Sequence, residues 1–346
     1  VASHEPVDVV YLWVDGSDPE FREQLRAAST GSAEHDPRVN GSCRFRDNGE
    51  LLYSLRSVTR FAPWVNHIYV VTNGQKPGWL DTRHSRVSIV THKDIFPDPG
   101  CLPCFNSGAL EWNLHRIPGI SQKFLYFNDD YFLGRETPRD RFLLPEGRQV
   151  LYFEHSALHR RMASGAALAR SYLHTGRLLD ELPLFNQYRR YRRAYSTYPL
   201  DRLPFVRPRR LLPAHVPQLY DRDILCELET RLAPAIQEVR GHRFRHPRDV
   251  ILRLAYHYYL VEGDAPARDP QVECLDWGSP EFFFVRLLEP EQKLHEELRR
   301  LSRVRPQFFN MNDDLGDADP GHPILSAARD FLETYFPEPS PLERAS

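Results

Sequence analysis

Two acidic stretches and one proline-flanked histidine are the residues of this sequence best suited to chemistry. Lys123–Gly134 reads Lys-Phe-Leu-Tyr-Phe-Asn-Asp-Asp-Tyr-Phe-Leu-Gly, so the apolar run Phe124–Phe127 ends in Asn128, Asp129 and Asp130. Adjacent carboxylates raise each other's pKa unless a cation or hydrogen-bond donors compensate. The usual cation for an all-oxygen site is Mg2+ or a similar hard ion, commonly bridging to substrate phosphates. The same three residues also read as a turn that caps the next element. The tail repeats the theme. Gln307–Met311 runs into Asn312, Asp313 and Asp314, with Asp317 and Asp319 behind them. That loop lacks the full ligand pattern and the terminal Glu of an EF-hand.

His215 lies in Pro213-Ala-His-Val-Pro217, where two prolines hold its backbone extended. The cluster His242-Arg-Phe-Arg-His246-Pro247 precedes a helical pattern, and helix N-termini attract anions. A lone histidine is more often structural than catalytic. Cys101-Leu-Pro-Cys104 has redox or zinc spacing, but a second ligand pair at suitable spacing is missing.

The elements that must carry these residues follow the apolar pattern. Val7–Val14, Ile68–Val71, Val87–Val90 and Phe124–Phe127 read as strands. Glu20–Ala28 reads as a short helix. A second helix, capped by Asp47 or Asn48, runs to about Arg60 with Leu51, Leu52, Leu55 and Val58 on one face. A third, capped by Asn106 or Ser107, runs to about Ile117. Later helices are expected over Gln218–Leu232, Arg248–Val261 and Pro323–Tyr335. Ser29–Ser42 reads as a mobile loop. Helices alternating with wholly apolar strands predict an α/β fold with a mostly parallel sheet, of the Rossmann-like, nucleotide-sugar-transferase type with a helical insertion. Each strand ends in polar residues, and ligands of such sheets sit outside the strands' carboxyl ends. Neither G-x-G-x-x-G nor a P-loop is present, which disfavours dinucleotide and Walker-type readings.

Composition narrows the class further. The 346 residues are 41% hydrophobic and 27% charged, an ordinary globular balance. A formal net charge of -2 provides no global basic field for nucleic acid. Lys76, Lys93, Lys123 and Lys293 are the lysines, and arginine makes up the rest of the 45 basic residues. Arginine suits bidentate recognition of phosphate and carboxylate, although genomic base composition can produce the same bias. The stretch 135–212 is rich in Arg and Tyr, including Tyr188-Arg-Arg-Tyr-Arg-Arg-Ala-Tyr195. It reads as a helical insertion, solvated or facing an acceptor. The organisation expected is 1–134 and 213–346 as two parts of one catalytic core around that insertion. Five widely spaced cysteines do not resemble a disulfide framework. No apolar run approaches a membrane span, and Val1–Asp8 shows no signal-peptide pattern. The setting expected is the cytoplasm, with peripheral association at the inner membrane face left open.

These motifs resemble the Stealth family of hexose-1-phosphate transferases. That family includes bacterial capsular and exopolysaccharide phosphotransferases and the catalytic part of the animal enzyme that begins the mannose-6-phosphate tag. Its four conserved regions have counterparts here, in order. The first is similar to Asp8–Pro19, and the second to Arg46–Ser57 with Ala62–Val65, Ile68–Gln75, Val90–Asp94 and Asn128–Asp130. The third is similar to Pro213–Pro217 with Phe244–His246, and the fourth to Phe309–Asp313 with Phe336-Pro337. Asp15 stands where the family often has Asn. The long insertions of the animal enzyme are absent, which favours a polysaccharide acceptor.

The resemblance implies transfer of a sugar-1-phosphate, such as N-acetylglucosamine-1-phosphate, from a UDP-sugar to a glycan hydroxyl, with UMP leaving. It places the family's essential histidine, arginine and aspartate on His215, Arg245 and Asp130. It implies Mg2+ or Mn2+ held by Asp130, with Asp129 and with Asn312 or Asp313. Arg245 would grip phosphate, and His215 would be the base on the acceptor hydroxyl. Asp15, Gly16, Ser17, Arg46, Asn48, Asn73 and Asn106 are the expected donor contacts. The rivals are a metal-dependent glycosyltransferase that releases UDP and a non-catalytic polysaccharide-binding protein.

Overall fold

The structure is a computed structural model and describes residues 5–30, 41–157, 167–182, 210–262 and 270–344. The central sheet contains β1 (Val7–Leu12), β2 (Ile68–Thr72), β3 (Val87–Thr91), β4 (Lys123–Asn128) and β8 (Gln218–Asp221), in the order β3-β2-β1-β4-β8. The first four are parallel, and β8 runs antiparallel to β4. The fold is therefore α/β around a mostly parallel sheet.

The uniformly apolar strands are explained by what covers the two faces. Val10 of β1 and Phe124 and Tyr126 of β4 enter one core, with Trp112, Leu225 and Tyr256. Val9, Tyr11, Leu125 and Phe127 enter the other, with Leu51, Leu55 and Val58. With both faces buried, alternation between apolar and polar residues disappears.

Two smaller sheets complete the described part. β5 (Tyr131–Leu133) pairs antiparallel with β11 (Phe308–Asp313), which pairs parallel with β10 (Phe282–Leu287). β6 (Val150–Ala157) lies between β7 (Leu211–Pro213) and β9 (Gln271–Leu275). Only Asp129 and Asp130 separate β4 from β5, so the two carboxylates lie at the joint between two sheets. The outer edge of β5 faces the helix Glu50–Phe61. Ser54 Oγ donates to the Tyr131 carbonyl, and Leu133 N donates to Ser57 Oγ at 3.1 Å. Two helix serines thus satisfy an edge that would otherwise be left bare.

Several expected elements are corrected. Gln218–Leu232 is not one helix. Gln218–Tyr220 are buried along the edge of β4, and Asp221 caps a helix that begins at Arg222 by accepting from Asp223 N and Ile224 N. Ala233–Gly241 is a separate helix with a proline in its first turn. The helix after Asn106 stops at Glu111. Asn113 Nδ2 turns back to the Ala109 carbonyl, and Trp112 Nε1 donates to the Val250 carbonyl. The helix expected from Arg248 begins at Leu252, because Asp249 is taken up by His242, His246 and Asn106. The Glu50 helix is capped by Gly49 at φ 84, not by Asp47 or Asn48. The stretch 135–212 contains strand β6 as well as the helix Ala167–Glu181. The run Tyr188–Tyr195 and residues 31–40 lie outside the described residues.

Candidate functional site

A cleft of about 290 Å3 opens where the carboxyl ends of the parallel strands converge. Leu12 of β1, Val71 of β2, His92 after β3 and Asn128 of β4 all line it. Asn312 and Asp313, at the end of β11, form another side. The convergence follows from parallel strand direction, which brings every βα turn to the same end.

Asp129 and Asp130 face this cleft. Burial raises both well above the ordinary carboxylate range, and each is pushed further by a neighbouring carboxylate, Asp130 on Asp129 and Glu50 on Asp130. Glu50 is buried behind them and is pushed up to about 8 by burial and by the Asp129 charge.

The opposite wall is cationic. Arg245 is donated into the cleft by the loop after Ala233–Gly241, and its Nη2 donates to Ser107 Oγ at 3.0 Å. Asn106 fixes that loop. Its Nδ2 donates to Asp249 Oδ2 at 2.9 Å, and its Oδ1 accepts from Gly108 N at 3.0 Å. His215, just past β7, lines the cleft and packs edge-on to Tyr131 at 5.0 Å. Arg253 reaches the His215 Nδ1, the Tyr131 and Tyr172 hydroxyls and the Ala214 carbonyl. A guanidinium only donates, so Nδ1 accepts there and the neutral ring carries its proton on Nε2.

The structure thus gathers Asp129, Asp130, His215, Arg245, Asn312, Asp313, Arg46 and Asn106 around one cleft. Asp313 and Arg46 are engaged with each other. Asp313 Oδ2 accepts from Arg46 Nη1 at 2.5 Å and Asn48 Nδ2 at 3.4 Å, while Oδ1 accepts from Leu315 N. Arg46 Nη2 donates to the Gly316 and Ala318 carbonyls, so this side chain holds the loop after β11. Asn48 is buried behind the cleft on Glu50. Asp15, Gly16, Ser17 and Asn73 do not line it. Asp15 N and its carbonyl pair with the Gln75 amide, Ser17 N donates to Asp15 Oδ1, and Gly16 N donates to the Phe45 carbonyl. These residues tie the first two strand-end loops together.

Sequence reasoning passed over Arg253. A signal was present, since Leu252–Glu262 is buried and otherwise almost wholly apolar. A cation at its second residue needs partners, and here they are the site's own groups.

Among the described residues, no three His, Cys, Asp or Glu side chains are grouped to hold a metal ion. Mg2+ is commonly held by one or two carboxylates, with substrate phosphate and water completing its shell. Asp129 and Asp130, half-buried and adjacent, with Asn312 also on the cleft wall, fit that pattern.

Fold and cleft define an α/β protein that brings acidic and guanidinium side chains to one cleft at the strand ends. The four Stealth conserved-region models match residues 5–33 (region 1), 44–151 (region 2), 214–262 (region 3) and 299–346 (region 4). The chain belongs to the Stealth family. It is 37% identical to exopolysaccharide phosphotransferase SCO6023 of Streptomyces coelicolor, covering 98% of this chain and 52% of that protein. It is 31% identical to exopolysaccharide phosphotransferase CpsY of Mycobacterium tuberculosis, covering 98% and 58%. The chain spans about half the length of these curated relatives. The galactosyltransferase LgtC is a looser structural neighbour, with a TM-score of 0.41 and 11% identity over 96% of both chains.

Proposed function

We propose that this cleft transfers a sugar-1-phosphate from a UDP-sugar to a hydroxyl of a glycan, forming a phosphodiester and releasing UMP. The observation that carries the reading is the single cleft shared by Asp129, Asp130, Arg245, Arg253 and His215. Phosphoryl-type transfer is mostly positioning and charge stabilisation. Arg245 and Arg253 would take the diphosphate oxygens, since guanidinium forks match phosphate. Asp129, Asp130 and Asn312 would hold Mg2+ or Mn2+, which when bound neutralises the diphosphate charge.

His215 would meet the acceptor hydroxyl. As a base it must take the proton on Nε2, which requires its Nδ1 to carry a hydrogen and turn from Arg253. The two contacts, both 3.4 Å, lie at the outer limit of a hydrogen bond. The proposed setting is cytoplasmic. Among the described residues no helix is long and apolar enough to cross a membrane.

The test is a panel of UDP-sugars with Mg2+ or Mn2+ and a glycan acceptor, with the released nucleotide identified. UMP supports sugar-phosphate transfer. UDP would mark a glycosyltransferase, and glycan binding without either product would mark a binding protein.

A further inference from the structure

Trp277 is 52% exposed, and only Leu168 joins it among the exposed large hydrophobic side chains of the described residues. It is not a loose surface ring. Its indole stacks on Phe284, with centroids 4.7 Å apart and planes 11° from parallel. Phe284 in turn meets the edge of the His215 ring at 5.7 Å. Trp277 and Phe284 do not line the cleft, whereas His215 does. The three rings therefore lead from the cleft's imidazole to the surface.

The backbone holds this arrangement in place. Trp277 belongs to the turn between β9 and β10, where Gly278 N and Ser279 N both donate to the Phe282 carbonyl. Gly278 takes φ 77, and Arg300 Nη2 donates to its carbonyl at 2.9 Å. Beneath, Phe284, Asn310 and Tyr131 form one row across the sheet. Asp276, next in the chain, is 73% exposed, and its Oδ1 lies 3.9 Å from His155 Nε2.

We propose that Trp277, backed by Phe284, is the acceptor platform, on which one pyranose of the glycan stacks while its hydroxyls meet Asp276. A pyranose ring has a face of C–H groups and a rim of hydroxyls. A flat aromatic surface with a polar neighbour matches both, and an aromatic fixed in advance loses little freedom on binding. Trp277 stands two ring contacts from His215 and outside the lining of the cleft that would take the donor. This inference rests on the transfer reading for its role, but the sugar-stacking surface can be measured separately.

The experiment is isothermal titration of the wild type, Trp277→Ala and Trp277→Phe with tetrasaccharides of glucose, galactose, mannose and N-acetylglucosamine, alongside UMP-release kinetics. At least one tetrasaccharide binds the wild type. Trp277→Ala weakens it about tenfold, and Trp277→Phe recovers most of the loss. In turnover, the acceptor half-saturation rises about as much in Trp277→Ala while the donor half-saturation does not follow. Equal binding by wild type and Trp277→Ala overturns the platform, as does a wild type that binds none of the four. Tryptophan-dependent binding without UMP release overturns the phosphotransfer reading and leaves the platform standing.

Discussion

Nδ1 of His215 lies 3.4 Å from both terminal nitrogens of the Arg253 guanidinium. The same guanidinium reaches Tyr131 Oη and Tyr172 Oη, at 3.2 and 3.1 Å. One ammonium cannot span these partners, so Arg253→Lys keeps the charge and loses the arrangement. Turnover of the variant is expected to fall about tenfold or more, with a smaller effect on melting temperature. His215→Ala and His215→Gln are both expected to cost about 100-fold, as loss of a general base should. Substantial activity in His215→Gln would reassign the ring as a hydrogen-bond donor, since glutamine still donates.

Asp130 shares a crowded acidic corner with Asp129 and Glu50. Removing one of three crowded acids relieves repulsion, so Asp130→Asn is expected to melt higher than wild type without metal. The same variant should lose metal-dependent turnover and the rise in melting temperature that Mg2+ gives the wild type. A melting temperature that responds to Mg2+ equally in both proteins would remove the carboxylate from the metal site.

Arg245 contacts Ser107 Oγ with one arm of its fork. Arg245→Lys is expected to lose about tenfold or more in turnover, because an ammonium cannot grip two phosphate oxygens in parallel. Ser107→Ala should lose less, since the guanidinium itself remains. A lysine variant as active as wild type would show that a point charge suffices.

His257 is fully buried, with its ring edge-on to Phe153 at 5.2 Å. Burial, then the Arg253 charge, pushes it down to about 3. The unfolded chain binds this proton near pH ~6.5, before the folded state does. The associated stability is therefore present above that pH and is lost as pH falls toward 3. Burial shifts His67 and His115 in the same direction. His257→Leu should reduce the fall in unfolding free energy between about pH 7 and pH 5, by up to about 1.4 kcal/mol per pH unit, read by denaturant melts. Parallel curves for the two proteins would count against a neutral buried ring.

Gly16 has a steric role. A Cβ there would sit 2.3 Å from the Phe45 carbonyl oxygen, which accepts from Gly16 N at 2.7 Å. Gly16→Ala is expected to cost about 1–3 kcal/mol in stability, read by denaturant melts. An unchanged midpoint would mean the two loops part easily.

The parallel sheet was legible because strands buried on both faces leave long apolar runs, as in Val7–Leu12 and Phe124–Phe127. The acidic and histidine motifs were legible because polar residues follow those runs directly. What escaped depends on distant partners. β8 looks helical until β4 supplies an edge for Gln218–Tyr220. Arg253 shows in sequence only as a cation in an apolar stretch, and the fold alone surrounds it with His215, Tyr131 and Tyr172. Asp15 Oδ1 and Asn73 Oδ1 each accept from a backbone N–H two residues on, a local use that the residue types alone do not reveal.

The two-residue joint between β4 and β5 has a mechanical consequence. Leu12 and Asn128 pair on one side of it, and Asn310 and Tyr131 on the other. Met311 N also donates to the Asp130 carbonyl, at 3.2 Å. Neither sheet can slide past its neighbour without dragging the acidic pair along. A cation held by these side chains would therefore also rivet the two sheets together.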